Sequence, residues 1–175
     1  PKMPVCDPEF MCCGPVIQTY LTVPLARSVA SSLLPEGLEL APLDWWSDDA
    51  TYPVHFIMSE QHNVESNQAS IDYLEFIEAL PAVQWDDAHA DAYAYRGPFA
   101  YWAKSYLDQE VPVLVGQLFG INKELANVRQ ACDDTGACSY NITARGGQDD
   151  GASLVSARWA PAGTSVGSNA YLPAS

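Results

Sequence analysis

Apolar and polar positions alternate with a period of two along much of this chain, and only briefly with the longer period of a helix. "VIQTYLTV" (16–23) is β-branched and aromatic with turn residues on both sides, which predicts a strand. "PLARSVASSLL" (24–34) opens on a proline and carries Leu25, Val29 and Leu33 near helical spacing, so a short amphipathic helix is expected, stopped by "PEG" at 35–37. "VHFIMS" (54–59) reads as a strand and the polar stretch 63–70 as a loop. "IDYLEFIEAL" (71–80) fits strand or helix by pattern; its Ile, Tyr and Phe and the proline that follows favour a strand. Residues 85–97 form an acidic, hairpin-like insertion, and 98–108 a further strand. "VPVLVGQLFG" (111–120) is rich in valine and reads as a strand running into a turn, whereas "INKELANV" (121–128) gives a short, weak helical pattern. "CSYNITARG" and "ASLVSARWA" predict two strands around the hairpin loop "GQDDG". Many strands against one convincing helix imply a mainly β (α+β) domain built on an antiparallel sheet.

These elements delimit an extended Pro- and Cys-rich arm (1–15), one β-rich domain (16–160) and a Gly/Ser/Pro-rich tail (161–175). No apolar run approaches the roughly 18–20 residues that a membrane-spanning helix needs. Twenty-two acidic residues against eight basic ones give a formal net charge of −14, with no basic cluster. Nucleic acid and a bare anionic membrane are therefore poor partners, while other protein subunits, and membranes reached through them, fit the charge better. The chain starts at Pro1 without an initiator methionine, which is consistent with a processed N-terminus and hence with an organelle such as a plastid, or with secretion. The Asn141-Ile142-Thr143 sequon has meaning only in the second case.

Candidate chemistry is sparse. No GxSxG elbow and no Gly-rich phosphate loop in strand–helix context is present. Cys132 and Cys138 bracket a Gly turn at a spacing that allows a local disulfide, and Cys6, Cys12 and Cys13 lack a fourth ligand for zinc nearby. His55 and His62 flank Glu60, but alternation places His55 and Glu60 on opposite faces, and His89 lies in an acidic loop; no metal or cofactor is expected. The aromatic pair Trp45-Trp46 is of the kind that anchors protein interfaces.

Three stretches occur in a familiar order: "LPEGLEL" after the short helix, then "DYLEFIEALPAV", then "YLDQEVPVLVGQLFGINKELA". Together they resemble the acetoacetate decarboxylase family over roughly residues 16–160. That resemblance implies a β-rich partial barrel with one or two short helices, and a lysine that forms a Schiff base with a small keto acid. Lys123 falls on the nucleophile and Glu75 on a site glutamate. Glu124 replaces the second lysine of the family's Pro-Lys-Lys-Leu pattern, which reverses the charge there. The family arginine that holds the substrate carboxylate falls, by gapless counting, on Val16; the nearest basic residue is Arg27, in the helix. The departures favour a degenerate, non-catalytic accessory subunit that binds other proteins, with a Schiff-base decarboxylase or aldolase/dehydratase as the alternative. A solvated Lys123 and a solvent-facing Glu75 are the structural readings set against both.

Overall fold

The computed structural model describes residues 15–66 and 69–160. The predicted arm, with Cys6, Cys12 and Cys13, and the predicted tail lie outside them. The strands are β1 (Val16–Ala26), β2 (Leu38–Leu40), β3 (Thr51–Ser66), β4 (Ala69–Trp85), β5 (Phe99–Leu107), β6 (Lys123–Cys132), β7 (Cys138–Ala144) and β8 (Ser153–Trp159). Among the described residues two short α-helices interrupt them, α1 (Arg27–Ser32) and α2 (Glu110–Leu118), together with a single 3-10 turn at Ala90–Ala92. The chain divides into two compact units, at Ala126/Asn127.

In the first unit the strand order is β1-β3-β4-β5-β6, with β2 paired to β4. The pairs β1–β3, β3–β4 and β4–β5 are antiparallel, and β5–β6 is parallel over Ser105–Leu107 and Lys123–Leu125. Alternation gives the sheet two distinct faces. The back face carries Tyr52, Val54, Met58, Phe76 and Leu80, all buried, and α1 sets Ala30 into the same core. Phe56 stacks on Phe76 at 5.7 Å, and Tyr106 adds a tilted contact to Phe76 at 6.4 Å. The front face carries Ser59, Glu75, Ile77, Ser105 and Leu107, also buried.

Four expectations change. Residues 111–120, expected as a strand, form α2, and 121–128, expected as a helix, lie in β6. The cause is topological: parallel neighbours cannot be joined by a hairpin and need a crossover, usually helical. Local chemistry agrees, because Gln109 is extended and Glu110 and Pro112 occupy the first turn, where an acid suits the helix dipole and proline loses no bond. The valines mislead because β-branching lowers helix propensity only slightly. In the third case, Pro24–Ala26 stay in β1, where Pro24 faces Pro53, so the helix is shorter than 24–34. Of the polar stretch 63–70, expected as a loop, the described residues 63–66 and 69–70 instead lie in β3 and β4, with Val64 paired to Ile71.

In the second unit β7 and β8 pair antiparallel, and Tyr140 and Ile142, alternate residues of β7, are buried. Cys132 and Cys138 form the disulfide that their spacing allowed.

Candidate functional site

Strand register, rather than any motif, assembles the site on the front face of the first unit. Gln18 of β1 pairs with Ser59 of β3, and Ser59 with Glu75 of β4. Ser105 of β5 pairs with Lys123 at the start of β6. The five side chains form a polar row across the sheet. Lys123 Nζ lies 2.9 Å from Glu75 Oε1, and both side chains are about nine-tenths buried. Ser105 Oγ donates to the same carboxylate oxygen at 2.8 Å, and Gln18 Nε2 donates to Ser59 Oγ at 3.0 Å. Tyr20 Oη donates to Gln18 Oε1, so the row ends in exposed polar groups on β1.

Helix α2 covers the buried end of the row. A Cβ on Gly116 would lie 2.3 Å from Lys123 Cδ, so the absence of a side chain there lets the lysine run beneath the helix. Gln117 Nε2 also donates to the Lys123 carbonyl. Overpacking costs about 1–3 kcal/mol, against about 1 kcal/mol gained when alanine replaces a helical glycine. Gly116→Ala is therefore expected to lower stability by up to about 2 kcal/mol, read as a lower urea midpoint, and to move Lys123 off Glu75. An unchanged or higher midpoint would mean that the lysine is free to move aside.

Lys123 and Glu75, paired in the sequence reading by resemblance alone, thus meet, and neither faces solvent. Glu124 does not join them. It projects from the opposite face of β6 and makes an ion pair with Lys104. The charge reversal at this position is therefore spent on the back face, where Lys104 also lies over the Tyr106 ring, 5.6 Å from its centroid. Burial there raises the pKa of Glu78 above the usual carboxylate range, with Lys104 opposing. The folded state then binds a proton more tightly than the unfolded chain. Glu78 contributes stability below its ordinary pKa, and this is lost as pH rises through the raised value. Glu78→Gln is expected to raise the melting temperature more at pH 7 than at pH 4; equal gains at both would contradict this account.

The remaining candidates lie apart. Val16 and Gln18 both face the row from β1, so the position expected to hold a carboxylate-binding arginine carries no cation. Arg27 instead lies over the Tyr52 ring at 5.4 Å, on the back-face side. Burial pushes the Tyr52 hydroxyl up to about 12, Arg27 opposing, and that hydroxyl donates to the Ala82 carbonyl. Trp46 lines a cleft of about 380 Å³ with Arg27, Leu43, Asp48, Asp49 and Tyr52, and Trp45 packs edge-on against it while remaining exposed. His55 hydrogen-bonds Thr22, His62 approaches Glu60 and His89 is held by Asp86. Among the described residues no group of three or more His, Cys, Asp or Glu is placed to hold a metal. Gln18, Ser59, Ser105 and Gly116 escaped the sequence reading, since single serines and glutamines in strands carry no signal until register places them side by side.

The fold is of the acetoacetate decarboxylase type. No family model matches the sequence, and no curated protein matches it significantly. Solved structures do match. The enduracididine biosynthesis enzyme MppR, complexed with the condensation product of pyruvate and imidazole 4-carboxaldehyde, aligns over 83% of this chain and 53% of its own, at 16% identity with a TM-score of 0.54. MppR with HEPES bound aligns over 82% and 52%, at 16% identity and a TM-score of 0.53. An acetoacetate decarboxylase-like enzyme from Sphingomonas wittichii RW1 aligns over 75% and 51%, at 14% identity and a TM-score of 0.49. The chain spans about half the length of these structures. At such identities the likeness is one of fold.

Proposed function

We propose that the first unit is a Schiff-base site in which Lys123 attacks a small carbonyl compound and Glu75 moves the proton. The observation that carries this reading is the buried contact of 2.9 Å between Lys123 Nζ and Glu75 Oε1. Glu75 takes a proton from the Lys123 ammonium; the uncharged amine adds its lone pair to the carbonyl carbon, and the oxygen, taking one proton from that nitrogen and one from the Glu75 carboxyl, leaves as water, so that a protonated imine and the Glu75 carboxylate remain. Glu75 then takes a proton from the neighbouring carbon, and the C–H electron pair becomes the C=C bond of an enamine. Ser105, donating to Glu75, holds the carboxylate toward the lysine. The enamine carbon can attack a second carbonyl or take a proton back, so aldol, dehydration and exchange chemistry follow from the same pair. In deuterated water the protein should speed exchange of acetone methyl protons, seen by NMR, and Lys123→Arg should abolish the gain. Exchange that survives Lys123→Arg would sink the proposal.

A second reading, an accessory subunit that binds other proteins, is supported by a different surface. Val111, Leu114, Val115, Leu118 and Phe119 form an exposed apolar stripe along α2 at helical spacing, opposite the buried Pro112, Val113 and Gly116. Trp45 adds a separate exposed aromatic. Sedimentation of the isolated chain tests this: a monodisperse monomer at high concentration opposes it, and self-association reversed by Leu118→Glu supports it.

A further inference from the structure

Resting on the Schiff-base reading, we propose that this site takes uncharged ketones or aldehydes and discriminates against keto acids. Attack requires an uncharged Lys123 amine, so in its reacting form the pair carries −1, or zero if Glu75 holds the proton. A substrate carboxylate then meets either a like charge or no counter-charge. The rest of the row is neutral: Ser105 and Ser59 hydroxyls, the Gln18 amide and the Tyr20 hydroxyl.

The other cations of the first unit's described residues are engaged elsewhere. Arg27 lies over Tyr52, Arg96 pairs with Asp87 and Glu39, and Lys104 pairs with Glu124 across the sheet from Lys123. Ser59 and Ser105 are fully buried and Gln18 is exposed, so the row opens to solvent over β1, at the Gln18 amide and the Tyr20 hydroxyl. Such groups bind carbonyl and hydroxyl oxygens without requiring charge. Gln18 lies two strand spacings from Glu75, about 10 Å between backbones.

The test compares borohydride-trapped adducts at Lys123 for acetone and hydroxyacetone with those for acetoacetate and pyruvate. Each rate is divided by that of the same probe with Nα-acetyl-lysine, which removes intrinsic reactivity. The neutral probes are expected to lead by at least about tenfold, since one unit charge about 4 Å from another changes a rate by about fivefold in bulk water and by about a thousandfold at an effective dielectric of about 20. Gln18→Arg, which places a cation at the open end of the row, should narrow or reverse the ratio. Keto acids trapped as fast as neutral probes would overturn this inference and leave the Schiff-base reading standing. No adduct at Lys123 with any probe would overturn both.

Discussion

Lys123→Met is expected to lower stability by about 3–5 kcal/mol, the usual cost of removing one partner from a buried ion pair. The physical reason is the carboxylate left behind. Glu75 is only 5% exposed, and without the ammonium it keeps the Ser105 hydroxyl as donor but loses its counter-charge. Restoring neutrality should recover most of the loss. In Lys123→Met/Glu75→Gln the amide still accepts from Ser105, and a buried charge no longer needs compensation. Urea denaturation of the two single variants and the double variant forms a thermodynamic cycle. A strongly non-additive result, with the double variant close to wild type, is the expected outcome. Additive losses would mean that the two side chains do not interact in the folded protein. The cycle also separates stability from chemistry, because the double variant should be folded and unreactive.

Phe76→Ala should be as damaging to the fold, by about 3–5 kcal/mol. Phe76 is 1% exposed and packs between Phe56, on which it stacks, and Tyr106 on the back face. Its truncation opens a cavity that rigid strands on either side cannot close. Phe76 follows Glu75 directly, so its packing also fixes the plane of β4 from which the carboxylate projects. Chemical denaturation measures the loss, and Phe76→Leu, which keeps most of the volume, should cost distinctly less. Similar costs for the two would place the stabilisation in the aromatic contacts rather than in the filled volume.

The strands from 16 to 23, 54 to 59, 71 to 80 and 98 to 108 were legible because their period-two pattern survives in β1, β3, β4 and β5. The exchange of strand and helix around residue 120 was not. Val111 to Leu118 satisfies a strand pattern locally, and only the parallel pairing of β5 with β6, a long-range fact, requires a helix there. The same limit applied to the site. Lys123 and Glu75 could be named by resemblance, but their burial and contact depend on the β3–β4–β5–β6 register. So does the orientation of Glu124, whose effect on Lys123 turns on which face of β6 it takes. Ser59 and Ser105 gain meaning only as neighbours of Glu75 and Lys123. Gly116 is a loop-like residue in sequence and a clearance beneath a helix in the fold.

The most direct test of the central claim is chemical. The protein is incubated with acetone, reduced with borohydride, digested and mapped by peptide mass spectrometry. A single adduct on Lys123, absent from Lys123→Arg, is the predicted result. No adduct, or equal labelling of Lys2, Lys104 and Lys123, would contradict it and leave the buried lysine as a structural counter-charge for Glu75.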